Sequence, residues 1–128
     1  MRVFNVTEGG WSEKVNFVDD NNVLVGYDLA QYCCEDADYF IQGKPQLNGR
    51  IKDGNTYTED FLADFSFDTE YFEETSSDDL KDGGMVIFKL DNEDGESIYL
   101  HLFNAHNGYY GHGFKAKIKG VQWQDDVL

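Results

Sequence analysis

Basic charge, cysteine, proline and long apolar runs are all scarce in this chain. Ten Lys and Arg stand against twenty-five Asp and Glu, for a formal charge of −15. Such a field repels phosphate, which argues against direct binding to DNA, RNA or anionic lipid and favours a basic protein partner or a cation. Cysteine occurs only as the adjacent pair Cys33 and Cys34. That is no framework for a disulfide-stabilised secreted domain, and it points to a reducing compartment. Residues 1–8 hold no apolar run long enough for a signal peptide, and no later run is long enough to span a bilayer. The expectation is a cytoplasmic protein without a membrane partner. The one proline, Pro45, falls in the turn-like stretch Gly43-Lys44-Pro45-Gln46. No internal repeat or low-complexity tract interrupts the chain, so a single domain, 1–128, is expected.

Aromatic residues are plentiful: ten Phe, eight Tyr and two Trp in 128 residues. Acidic chains that stay disordered are poor in aromatics, so this acid belongs to a folded surface. The charge is also uneven. Residues 53–96 hold fifteen acids against two lysines, whereas residues 97–124 hold no acid, three lysines and all three histidines. Solubility alone accounts for much of a high net charge, and strands are depleted of Asp and Glu in any case. Beyond those discounts, the histidine-bearing region is where a site is sought.

Most of the chain reads as strands. Residues 14–18 and 23–27 are rich in β-branched and aromatic residues around the turn cluster Asp19-Asp20-Asn21-Asn22, which predicts a hairpin. Residues 85–90 and 97–103 flank Asn92-Glu93-Asp94-Gly95 and predict a second. Next, Phe114, Ala116 and Ile118 alternate with Lys115, Lys117 and Lys119, a strand with one apolar and one basic face. Its expected partner, 98–103, is apolar on both faces and is placed centrally in the sheet. Residues 33–41 carry helical spacing at Cys33, Ala37 and Phe40 or Ile41 and form the best helix candidate. Residues 61–67 fit period two at Phe61, Ala63, Phe65 and Phe67, although Thr56-Tyr57-Thr58-Glu59 matches a capping box; strand is preferred. The polar stretch 73–84 reads as an exposed loop. The expected fold is α+β: mainly an antiparallel sheet with a C-terminal meander, plus one or two short helices.

Chemistry concentrates between Asn104 and Phe114, where three glycines surround His106, Tyr109, Tyr110 and His112. Glycines permit positive φ and close backbone approach, but neither a Walker loop nor a dinucleotide fingerprint is present. A tight turn with solvent-facing histidines explains the same residues. His106 and His112 with Cys33 or Cys34 fall short of the three or four recognisably spaced ligands of a zinc site, so no metal and no cofactor is expected. Cys34 is a candidate nucleophile if His106 or His112 lies within reach, yet Glu35 and Asp36 beside it would raise its thiol pKa. His101 is expected to be a hydrogen-bonded residue inside the sheet. The stretch 91–96 lacks the alternating acids and the distal glutamate of a calcium loop.

Tyr32-Cys33-Cys34-Glu35 and the later Asn107-Gly108-Tyr109-Tyr110 resemble segments of a group of small acidic proteins from bacteria and their phages, loosely over residues 10–118. The resemblance implies a mostly β, cytosolic domain and supplies no activity. It marks Cys33, Cys34, Glu35, Asn107, Gly108, Tyr109 and Tyr110 as important together. With the reading of the histidine loop, the binding-site candidates are Glu35, Asn107, Gly108, Tyr109, Tyr110 and His112, and the catalytic alternatives are Cys34, His106 and His112. The function expected is binding of a basic protein surface through 53–96, with nucleic-acid-like charge mimicry if the gene is phage-borne. The alternative is a small-ligand or metal binder, or a small enzyme, using the Asn104 to Phe114 loop with Cys33 and Cys34.

Overall fold

The computed structural model describes residues 1–8, 12–30, 35–52, 57–106 and 111–128. Within them the first hairpin is β2 (Ser12–Val18) and β3 (Val23–Asp28), preceded by β1 (Arg2–Glu8). Its turn is set by Asp19, whose Oδ1 accepts from the N–H groups of Asn21 and Val23, both at 2.9 Å, leaving Asn22 at φ +64. Asp19 Oδ2 accepts from the N–H of Phe67, tying the turn to a distant strand. Then follow β4 (Glu35–Gln42), the helical turn α1 (Glu59–Leu62), β5 (Ser66–Thr75) and a 3₁₀ turn (Asp78–Leu80). The second hairpin, β6 (Gly84–Asp91) and β7 (Ser97–His106), turns on Asn92 Oδ1 and on Gly95 at φ +82. The last hairpin joins β8 (Gly113–Ile118) to β9 (Val121–Val127) through Lys119 and Gly120, both at positive φ as a two-residue turn requires.

All pairings between named strands are antiparallel. The strands form a five-stranded sheet in the order β1-β2-β3-β8-β9 and a four-stranded sheet in the order β4-β7-β6-β5. Inward residues of both meet in one core, including Val15, Phe17, Val25, Tyr27, Phe114 and Ala116 from the first and Ile41, Val86, Phe88, Leu100 and Leu102 from the second. Aromatic edges interlock across the gap, Phe17 on Tyr39 at 5.1 Å and Phe88 on Trp123 at 5.6 Å. Trp123 reaches inward where the register shifts between Ala116 and Lys117. A mainly antiparallel β fold with very little helix is therefore what forms.

Four local expectations are corrected. Residues 35–42 are strand, not helix. Ala37 and Ile41 point into the core, and pairing with β7 over Glu35↔His106 to Gln42↔Tyr99 outweighs an acid-rich helical pattern. Residues 59–62 are helix rather than strand: the Thr58 side chain accepts from Phe61 N–H at 3.2 Å, and strand begins only at Ser66. The stretch 73–84 is no plain loop, since β5 runs to Thr75 and Leu80 is fully buried. Finally, β8 does not pair with β7, so the expected meander splits between two sheets. β7 is apolar on both sides and takes β4 and β6 as neighbours, while the half-polar β8 joins β3 and β9, where one face stays open. Lys119 lies in the turn, off the basic face.

The outer side of β7 is covered, as its two apolar faces require. Phe40, Leu80, Met85, Ile87 and Phe103 form a second cluster there, roofed by residues 43–52 and the 3₁₀ turn. Ser77 Oγ donates to Gly49 O at 2.7 Å and Thr75 Oγ1 to Leu47 O at 2.9 Å, holding that roof. His101 is buried beneath it, as predicted: its Nε2 accepts from Gln46 N–H at 3.0 Å, Nδ1 lies 3.1 Å from Tyr99 O, and Phe40 stacks on the ring at 4.2 Å. Burial holds this imidazole neutral, its pKa pushed down to about 4 against backbone hydrogen bonds that favour the charged form.

Candidate functional site

β3 and β7 end, and β4 and β8 begin, at the same end of the sandwich, and this gathers polar residues from distant parts of the chain. Glu35 opens β4 directly opposite His106 of β7. His112, just before β8, sets its Nε2 2.8 Å from Glu35 Oε1, with both side chains fully buried. Its Nδ1 lies 2.7 Å from the carbonyl oxygen of Asp28, which can only accept, so this nitrogen carries a proton and donates. The His112 backbone exchanges two hydrogen bonds with Leu128, at 3.1 and 2.8 Å, and Asn104 Nδ2 donates to Leu128 O at 3.0 Å. Tyr27 completes the seam by donating its hydroxyl to Phe103 O at 2.7 Å; burial, with the Asp28 carboxylate next, pushes its phenol pKa up.

The chemistry of this pair follows from its partners: Nδ1 faces the Asp28 carbonyl and Nε2 faces Glu35 Oε1. A histidine acting as general base keeps one nitrogen for its carboxylate and the other for the nucleophile. Here the second nitrogen is taken by a backbone carbonyl, so neither is left for a substrate proton. In this arrangement the pair is a pin, joining β3 and the start of β8 in one sheet to β4 in the other.

Among the predicted site residues, Glu35, His106 and His112 do converge. The expectation that His106 and His112 face solvent is corrected, because both are buried: the ends of β4 and β7 and the Leu128 segment close over them. Cys33, Cys34, Asn107, Gly108, Tyr109 and Tyr110 lie outside the described residues. Among the described residues, no group of three or more His, Cys, Asp or Glu is placed to hold a metal ion. The contributions of Tyr27 and the Asp28 carbonyl were not legible beforehand, since a backbone oxygen leaves no trace in composition. No helix among the described residues is long and apolar enough to cross a membrane.

His106 also borders a surface cleft of about 420 Å³, shared with Gly83, Gly84 and Gly111 and rimmed by Glu74, Asp82 and Asp126. Gly83 is required there: a Cβ on it would stand 1.7 Å from the Asn104 carbonyl oxygen. Close by, Lys81 sits at φ +55 with a parallel bridge to His106.

The acidic segment is displayed on the four-stranded sheet and its connections. Of the fifteen acids in 53–96, twelve are exposed, Asp68 and Asp91 are half-buried, and Asp53 lies outside the described residues. Ion pairs among the described residues reach only three of them: Asp79 from Arg50 at 2.9 Å, and Asp68 and Asp91 from Lys89 at 3.9 and 3.8 Å. Comparison of the chain with protein-family models, with curated proteins and with solved structures gives no match.

Proposed function

We propose that this protein is a non-catalytic binding module of the cytoplasm that presents its acidic side to a basic protein surface. The observation that carries this reading is the solvation of the acid: twelve exposed carboxylates in one segment, with few cations spent on them. Edge protection is the competing account, because β5 is an outer strand and charge there blocks edge-to-edge pairing. Exposed acids, however, also crowd α1, the 3₁₀ turn and the β6–β7 turn, none of which is a sheet edge. Protection of an edge needs only the few on β5. A surface of this kind steers a basic partner and would be sensitive to salt. Spaced carboxylates facing a DNA-binding protein would act as a charge mimic of nucleic acid.

A lysine-rich peptide serves as probe, its binding followed by fluorescence anisotropy at rising NaCl. Affinity should fall steeply with salt, and the triple variant Glu70→Gln, Glu73→Gln, Glu74→Gln should bind on the order of tenfold more weakly. A variant of equal charge change elsewhere, Glu13→Gln, Asp20→Asn, Asp125→Asn, should lose little. Equal losses in the two variants, or binding indifferent to salt, would sink the reading.

A further inference from the structure

Half of the ten basic residues, Arg2, Lys14, Lys115, Lys117 and Lys119, lie on or beside the five-stranded sheet, away from the acidic side. Among the described residues nothing covers its outer face. Alternation sends Lys14 and Asn16 of β2, Leu24 and Gly26 of β3, and Lys115 and Lys117 of β8 to that face, where they line a groove of about 590 Å³. That volume is in the range of small-molecule sites, roughly 300–1,000 Å³.

The register arranges the groove in rows. One row runs Phe4, Asn16, Gly26, Lys115, Asp125, and the next runs Arg2, Val18, Leu24, Lys117, Gln122. Gly26 leaves a gap in the middle of the first row, with backbone at its floor and the half-buried Leu24 beside it. A Cβ at this position would come within 2.8 Å of Asn16 Oδ1, so the amide already leans over the space a side chain would take. Three ammonium groups surround the gap. Asp28 stands opposite Lys14 and Asp125 opposite Lys115, yet among the described residues Lys14, Lys115 and Lys117 make no ion pair. Lys117 has no acid in its row.

We infer that this groove binds a small organic anion: a phosphate or carboxylate held among Lys14, Lys115 and Lys117, carried on a flat apolar ring that lies on Leu24 and the bare backbone of Gly26. A polymer of phosphates would meet the whole −15 field. A small anion inside the groove is within one screening length, about 8 Å at physiological salt, of the three ammonium groups; Asp28, Asp125 and Asp126 line the same groove, and the row of Lys117 is the one without an acid, so the anion is placed on that side. The site lies on the other sheet from the acidic side, so neither proposal depends on the other.

Backbone amide NMR tests it with phenyl phosphate, benzoate, phenol and inorganic phosphate as probes. Saturable shifts centred on residues 24–26 and 115–117 are expected with phenyl phosphate, benzoate or both, and whichever binds identifies the anion. Phenol and inorganic phosphate, each carrying half of the recognition, should bind at least fivefold more weakly. Lys117→Gln should weaken binding about fivefold. Gly26→Ser, whose side chain fills the gap while Asn16 swings aside, should abolish the advantage of the ring. The lysines are exposed, so Lys115→Gln and Lys117→Gln leave the fold intact and keep the test decisive. The proposal is overturned if neither ring-bearing anion gives saturable shifts there, if inorganic phosphate binds as well as they do, or if the lysine variants bind unchanged.

Discussion

The two sheets treat their outer faces in opposite ways. The four-stranded sheet is roofed: Phe40, Met85, Ile87 and Phe103 point outward from it and are buried under Leu80 and residues 43–52. Among the described residues nothing roofs the five-stranded sheet: Lys14, Lys115 and Lys117 are in solvent, and Asn16, Val18, Leu24, Gly26 and Asp28 are half-buried among them. The difference traces to the strands themselves. β7 is apolar on both sides and demands cover, whereas β3 and β8 alternate and leave a face that water can hold. A roofed face contributes stability, and a bare one is available for contact.

Breaking the pin between the sheets should have the largest effect. Glu35→Ala leaves His112 buried without its carboxylate and should cost about 3–5 kcal/mol in urea denaturation. Glu35→Leu with His112→Phe should recover most of that loss, because an apolar pair of similar volume leaves no buried polar group without its partner. If the single variant proves neutral, the pair is not what joins β3 and β8 to β4.

The roof comes next. Leu80→Ala should cost about 2–4 kcal/mol, since it opens a cavity over the second cluster, whereas Leu24→Ala on the bare face should cost under about 1 kcal/mol by the same measurement. Equal costs would mean that the faces do not differ in the way described.

His101 sharpens the contrast through pH. The unfolded ring gains its proton near pH 6.5 and the folded one only near 4, so the stability it supports is present above 6.5 and is lost as pH falls through that interval. The loss by pH 4 should approach about 3 kcal/mol. His101→Gln should flatten the slope between pH 6.5 and 4 in thermal melts, and an unchanged slope would place the proton uptake elsewhere. The smallest effect belongs to the bare face: Lys117→Ala should change stability by less than about 0.5 kcal/mol while still weakening anion binding.

How far these features were legible beforehand depended on range. Two hairpin turns could be read from local chemistry: Asp19 and Asn92 fold their carboxylate and amide onto following N–H groups, and Gly95 supplies positive φ; the turn at Lys119 and Gly120 and the strand after it were not foreseen. The two-sidedness of residues 98–103 and the amphipathic lysine strand were equally plain, because alternation is a property of neighbours. The short strand at 35–42 was not, because acids next to apolar residues at helical spacing describe its surroundings poorly. Its state was settled by the empty edge of β7.

Within the candidate site, Glu35, His106 and His112 could be singled out as residue types, but their burial, their pairing and the role of the Asp28 carbonyl could not. Composition and alternation by themselves determined that the chain is mainly antiparallel β, where two of its hairpins turn, and that its acid and its lysines fall in separate segments. Tertiary structure alone decided that β8 crosses to the other sheet from β7, that two histidines expected in solvent are buried, and that three lysines from β2 and β8 meet around Gly26. The physical reason is that burial on a second face and the approach of distant strand ends are non-local, and no window of neighbouring residues contains them.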